Sequence, residues 1–291
     1  MDHLTTKEYE NILQSFYEKD FALVDFFHAY KKENGKFVQK PFMFPKGKKP
    51  LILSFDDMTF DNKNLGTINK LVYDKTSNTI LDYSKYEKTT KTNKRENVTI
   101  LESFIKSHPD FSHEHARAIL CVNGYNGILG YRIHAKSSKK GDALEKEKTD
   151  LLALTNFMKK QKYHFACHGY NHYNTNRAPL EQLRTDTIKW QKEIEPFTGE
   201  TNIYCYPGGI HRCGSENNKL LKDYGYEIFF CVGQSVKKQN ETAEKDATYF
   251  YRKPLDGSSL RTNQKGYMKY FDSSKIYDSR RFLPFESRVG Y

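Results

Sequence analysis

Leu51-Ile52-Leu53-Ser54-Phe55-Asp56-Asp57 is the stretch whose reading decides the fold. A mostly apolar run of this kind is the mark of a strand covered on both faces, and it stops at two adjacent acids. The pattern recurs downstream. Ala116–Val122 leads into Asn123-Gly124-Tyr125-Asn126-Gly127, and His164-Phe165-Ala166-Cys167 leads into His168-Gly169-Tyr170-Asn171-His172. Asn202–Tyr206 ends at Pro207-Gly208-Gly209, and Glu227–Val232 is a further apolar run. Between these runs lie stretches with helical apolar spacing: Val98–Ser107, Lys146–Gln161, Leu180–Ile194 and Asn217–Tyr224. Buried strands alternating with helices predict an α/β fold, either a parallel sheet or a barrel. In such folds polar groups that do chemistry gather at the C-terminal ends of strands.

Working outward, Lys7–Tyr17 has helical spacing and Phe21–Val24 reads as a short strand. Lys31–Pro50 reads as a polar connection, and residues 61–98 as a polar insertion with a small hairpin around Thr79–Tyr83. The aromatic share of 14% argues against a disordered chain. No apolar run approaches the roughly 18–20 residues of a membrane span, and Met1-Asp2-His3-Leu4-Thr5 lacks the start of a secretory signal. The net charge of +11 fits an anionic neighbour. Its lysines are dispersed, without a zinc-finger spacing or a phosphate loop, so a solvated basic surface is favoured over a specific nucleic-acid face. Cys121, Cys167, Cys205, Cys213 and Cys231 form no Cys-x-x-Cys pair and read as free thiols.

Two chemistries stand at the strand ends. Asp56 and Asp57, adjacent on one chain, point in different directions, so one can ligate a metal while the other faces a water; the plain alternative is a pair of loop-capping carboxylates. His168 and His172 are four residues apart and suit a shared metal ion if the segment makes a helical turn. Two imidazoles and one carboxylate leave open positions for water and substrate.

In this order, Ser54-Phe55-Asp56-Asp57 and His168-Gly169-Tyr170-Asn171-His172 resemble the first two motifs of the polysaccharide deacetylases, carbohydrate esterase family 4. Tyr204-Cys205-Tyr206-Pro207-Gly208-Gly209 is similar to the third, with Gly208 in the place of an aromatic. Asn123–Gly127 with Leu129-Gly130-Tyr131-Arg132 resembles a loop of a Gram-positive-type subgroup. The resemblance spans about residues 45–260. It implies a distorted (β/α)7 barrel over residues 46–291, with an insertion after the first motif strand and residues 1–45 as an N-terminal extension. It further implies Asp56 as general base, and Asp57, His168 and His172 as ligands of a divalent metal, zinc foremost. A backbone N–H near Tyr206 would help to stabilise an oxyanion. The implied activity is a metal-dependent hydrolase that removes N-acetyl groups from N-acetylglucosamine-type polysaccharide.

The chain departs from the family pattern in places. No Arg opens the third motif at Asn202-Ile203-Tyr204. Arg252 either supplies that charge from a later strand, acting with Asp56 in catalysis, or is a surface residue. No histidine follows His211, which either reaches the pocket as general acid or is a solvated loop residue. Among Tyr125, Tyr131, Tyr170, Tyr173 and Tyr206, one or two are expected to stack on sugars and the rest to pack. The alternative function is a weak or inactive barrel that binds glycan or another anionic envelope polymer. An extracellular or envelope location is implied by the resemblance alone, while the lack of a signal and the five unpaired cysteines point to a reducing, cytoplasmic compartment as the alternative; the oligomeric state stays open.

Overall fold

Thr5 and Glu8 start the first helix by reciprocal capping: the Glu8 N–H donates to Thr5 Oγ1 (3.1 Å) and the Thr5 N–H to Glu8 Oε2 (2.9 Å). The computed structural model describes residues 3–60, 68–84, 89–91, 96–134, 137–210, 214–232, 248–262 and 264–278. Helix α1 (Thr6–Glu18) buries Tyr9, Ile12, Leu13 and Phe16, one helical face. It is followed by β1 (Phe21–Leu23) and by the short α2 (Phe26–Ala29), whose N-cap is Asp25. Strands β2 (Tyr30–Glu33) and β3 (Lys36–Gln39) form an antiparallel hairpin inside the segment expected to be a plain connection. Its turn is Asn34-Gly35, both left-handed (φ 50° and 76°), the chemistry a two-residue hairpin turn demands.

The decisive run is divided. Strand β4 (Lys49–Leu51) pairs with β1, and β5 (Ser54–Phe55) pairs with β9 (Ile119–Val122), both in parallel. Leu51 O accepts from Val24 N–H (3.0 Å) and Leu53 O from Ile119 N–H (2.9 Å), so one continuous run changes partner along its length. Between β5 and β9, β6 (Lys70–Asp74), β7 (Thr79–Ser84) and β8 (Thr89–Lys91) make an antiparallel sheet, one strand more than the hairpin expected, followed by α3 (Asn97–Ser107). Parts of the 61–98 stretch, residues 61–67, 85–88 and 92–95, lie outside the described residues.

Thereafter helices and strands alternate: α4 (Gly141–Lys160), β10 (His164–Cys167), α5 (Leu180–Glu193), α6 (Glu195–Thr198), β11 (Ile203–Cys205), α7 (Glu216–Asp223), β12 (Ile228–Val232) and β13 (Thr248–Arg252). The main sheet has the order β13-β12-β11-β10-β9-β5, all parallel. Six strands share this ladder among the described residues, with the β1–β4 pair continuing from the chain just before β5. Side-chain alternation splits the sheet into two buried layers. Ile119, Cys121, Ala166, Ile203, Cys205, Ile228 and Phe230 face inward and pack with Phe26 and Phe37. Leu120, Val122, Phe165, Cys167, Tyr204, Phe229 and Cys231 face the covering helices.

The sheet curls until its ends meet. Arg252, at the end of β13, donates to Ser54 Oγ on β5 (2.9 Å). At the N-terminal side the early chain closes the curve: Asp25 meets His164, Lys32 meets Glu227, and the Phe37 N–H donates to Thr248 Oγ1 (2.7 Å). Cys121, Cys167 and Cys205 are buried free thiols, as the sequence suggests, and Cys231 is buried in the same sheet; Cys213 lies outside the described residues.

Candidate active site and metal centre

Every strand of interest runs the same way, so the residues that follow β5, β9, β10 and β13 emerge at one edge. Asp57 adopts a left-handed backbone (φ 56°), which turns its side chain away from that of Asp56. Its Oδ1 lies 3.8 Å from His168 Nε2 and 3.5 Å from His172 Nε2. Asn123 Nδ2, at the end of β9, donates to the same oxygen (2.8 Å). His168 is buried, and its Nδ1 is 2.8 Å from Cys205 O. A carbonyl only accepts, so Nδ1 carries a proton, and Nε2, which faces Asp57, is the nitrogen left to give a lone pair to a metal once any second proton is displaced. This is the second-contact arrangement typical of metal-binding histidines.

One ligand atom each from Asp57, His168 and His172 lie within 4.8 Å of one another. Two imidazoles and a carboxylate fit zinc or another first-row divalent ion. Asp56, His168 and Cys205 make a second such grouping, which fits less well. Burial holds the Cys205 thiol far above its usual range, so it is not a thiolate, and Asp56 is already engaged. Arg252 Nη1 and Nη2 grip its two oxygens at 2.7 and 2.9 Å, and Cys205 Sγ approaches Oδ1 at 3.4 Å. Burial works against the charged form of Asp56, yet the Arg252 guanidinium, with His168, holds its carboxyl well below the usual range. For His168, burial works against the charged form while the Asp56 and Asp57 carboxylates favour it, and the pKa is raised. Burial lowers that of His172, which Asp57 only partly offsets.

The segment from His168 to His172 is not helical, contrary to the helical turn the spacing suggested. Gly169 (φ 65°) and His172 (φ 57°) turn the chain instead, and α5 braces it. Asp186 accepts from the Tyr170 N–H (2.6 Å), the Asn171 N–H (2.9 Å) and Asn171 Nδ2 (2.7 Å). A Cβ on Gly169 would come 3.3 Å from Asp186 Oδ2, in a backbone conformation that side chains rarely adopt. Tyr170 O accepts from the N–H groups of Gly124 (3.0 Å) and Tyr125 (2.9 Å), which ties the β9 loop to the histidine loop.

Asp56, Asp57, His168, His172 and Arg252 are thus brought together. Tyr206 is not free to join them: its N–H donates to Phe230 O (3.0 Å), and its buried ring donates to Asn218 Oδ1 (2.9 Å). An N–H of Tyr206 itself is therefore not available to an oxyanion. Tyr131, Tyr170 and Tyr206 are packed in the core, while Tyr125 is 42% exposed and Tyr173 half-buried. His211 lies outside the described residues. The sequence reading missed Asp186, although an acid on the buried face of α5, beside Leu183, Thr187 and Trp190, was a readable signal.

No protein-family model matches the chain, and no curated protein does. Solved structures similar to it include a Streptococcus pyogenes deacetylase, PplD, in complex with acetate, at 11% identity and TM-score 0.43, over 87% of this chain and 83% of that one. A family 4 carbohydrate esterase from Streptomyces lividans in complex with acetate is similar at 14% identity and TM-score 0.30, over 55% and 76% of the two chains. A 4-alpha-glucanotransferase from Thermococcus litoralis is similar at 12% identity and TM-score 0.36, over 57% and 25%. At such values the functional argument rests on the side chains of the site.

Proposed function

We propose that the chain is a metal-dependent hydrolase that removes N-acetyl groups from N-acetylglucosamine-type polysaccharide, built on a distorted (β/α)7 barrel with residues 61–98 inserted. The observation that carries this reading is the pairing of two carboxylates with different duties. Asp57 stands with His168 and His172 as a donor set, and Asp56 stands beside it in the grip of Arg252.

Asp57 Oδ1, His168 Nε2 and His172 Nε2 would hold the ion, zinc foremost. A divalent metal bound there supplies Lewis-acid polarisation of an amide carbonyl and makes water more acidic. Asp56 then takes the proton of the attacking water. Because Arg252 keeps the Asp56 carboxyl so far down, it is a weak base, effective only toward water whose acidity has been raised. Asp56 is also the group placed to pass that proton to the departing amine, so that water and the amide give acetate and a free amino sugar. Arg252 keeps the carboxylate ionised and aimed. Tyr125 and Tyr173 offer rings on which a sugar face stacks. We place the work at the cell envelope, where a net charge of +11 favours anionic polymers.

Acetate release from N-acetylglucosamine oligomers, poly-N-acetylglucosamine and peptidoglycan, measured together with metal content, tests the reading. Asp56→Asn is expected to lose about 10²-fold or more in rate and keep its metal. His168→Ala is expected to lose both the rate and the metal held with Asp57 and His172. Protein with metal bound at Asp57, His168 and His172 and no acetate from any of the three substrates would overturn it.

A further inference from the structure

At the opposite end of the sheet a second set of donors has no part in this chemistry. His28 lies in the last turn of α2. His113 and Glu114 lie in a tight turn, His113–His115, on the way into β9. A parallel bridge between Leu23 and Ser112 draws the two segments together. We infer that His28, His113 and Glu114 form a second divalent-metal site, of the zinc class, that clips the early chain to the entry of β9.

The geometry carries the inference. His28 Nδ1 is 3.2 Å from Glu114 Oε2, and His113 Nε2 is 3.9 Å from Glu114 Oε1. One ligand atom from each of the three lie within 4.8 Å of one another. Tetrahedral zinc with bonds of about 2.0–2.2 Å sets its ligand atoms about 3.3–3.6 Å apart, a spacing that His28 and Glu114 nearly have and that His113 would reach by moving toward the carboxylate.

A second observation is independent of these distances. The Nε2 atoms of His28 and of His113 are both buried with no hydrogen-bond partner among the described residues. Buried imidazole nitrogens are ordinarily satisfied, and His113 Nε2, the atom that faces Glu114, is an orphan that asks for a ligand there; His28 turns Nδ1 to the carboxylate, and its own orphan Nε2 lies on the other side of the ring. Phe42 stands edge-on to His28 (5.3 Å between ring centres) and Phe44 to His113 (4.9 Å), forming an apolar wall behind the donors. Glu114 is 54% exposed and gives the ion its approach. Two imidazoles and a carboxylate again select zinc or a neighbouring first-row ion, with a water completing the coordination. The rival account is a simple charge pair between His28 and Glu114, with His113 as a ring neighbour.

Metal counting separates the two accounts, with Zn2+ and Co2+ as probes and calorimetry and cobalt absorption as readouts. Metal-stripped His168→Ala/His172→Ala protein is expected to bind one equivalent, whether or not the parent releases acetate. Adding His28→Gln or His113→Gln to it is expected to weaken that binding by at least about 10²-fold. In the otherwise intact chain, His113→Gln is expected to lower the count from two equivalents to one and to abolish the part of the zinc-dependent rise in Tm that this site supplies. This second measurement decides the matter if the double variant fails to fold. A folded double variant that binds neither ion, or intact chains that bind the same number of equivalents with and without His113→Gln, would overturn the inference.

Discussion

Arg252 and Asp56 come from positions 196 residues apart in the chain and meet through a two-pronged hydrogen bond. A planar guanidinium matches both oxygens of a carboxylate at once, which a lysine ammonium cannot do. Replacing Arg252 by Lys keeps a charge but loses the fork; replacing it by Ala loses both. In either variant the Asp56 carboxyl rises toward its ordinary range, so the base is protonated at a higher pH. The acid limb of the kcat/KM profile is therefore expected to move upward, further for Arg252→Ala than for Arg252→Lys, with metal content unchanged. A fall in rate with an unmoved limb would mean that Arg252 serves only to hold the sheet closed. At this scale the sequence was informative for chemical reasons. Adjacent acids cannot point the same way, and the left-handed turn at Asp57 realises that constraint. Arg252 stood between two readings because nothing local in Tyr251-Arg252-Lys253 says that the sheet will curl round to β5.

The loop after β10 shows how an element can be right in place and wrong in shape. His168 and His172 do converge, but through left-handed residues braced by Asp186 rather than through a helical turn. The spacing of two histidines is blind to that difference, whereas an acid buried among Leu183, Thr187 and Trp190 signals a polar clamp. The hairpin of β2 and β3 was legible in Asn34-Gly35 and was masked by the surrounding lysines. Asp186→Ala removes three hydrogen bonds from the loop. It is expected to cost about 1–3 kcal/mol in thermal or urea unfolding and to weaken metal binding by about 10–100-fold. Unchanged metal affinity in a destabilised variant would confine Asp186 to a packing role. A second element carries a pH dependence. At the head of α3, burial and the neighbouring Asp82 push the Glu96 carboxyl up to about 8. The folded protein then holds a proton that the unfolded chain releases near the ordinary glutamate value of 4.5. The contribution is fully present below that value and fades as the pH rises through about 8. Glu96→Gln is expected to flatten this decline, leaving the variant more stable than the parent above pH 8 in denaturant titrations; parallel curves would refute the assignment.

The whole molecule is a curled sheet whose two ends are treated differently. The C-terminal edge is bound by polar contacts that form the candidate site, and the opposite edge is stopped by the early chain. The sequence reading set residues 1–45 apart as an extension, and the described contacts give that segment a share of the interior of the curled sheet. Phe26 is 2% exposed, and its ring centre lies 5.6 Å from that of Phe230 and 5.0 Å from that of Phe250. Tyr30 stacks on its other side at 5.0 Å. No local pattern reveals this, because Phe26 meets β12 and β13 only after some 200 residues of intervening chain have folded. Apart from Phe37 and Phe230 the inner layer consists of short or slender residues, Ile119, Cys121, Ala166, Ile203, Cys205 and Ile228, which cannot collapse into the space of a lost ring because each is fixed in a strand. Phe26→Ala is therefore expected to destabilise the protein by about 3–5 kcal/mol, with Phe26→Leu intermediate. Equilibrium urea unfolding followed by tryptophan fluorescence suits the test, since Trp190 is buried against the sheet and donates to Val122 O (2.8 Å) at the end of β9. A loss below about 1 kcal/mol for Phe26→Ala would show that the interior of the curled sheet is filled without the early chain. A loss in the expected range, with metal affinity at Asp57, His168 and His172 preserved in the folded fraction, would show that the plug at one end stabilises the sheet without setting the geometry at the other.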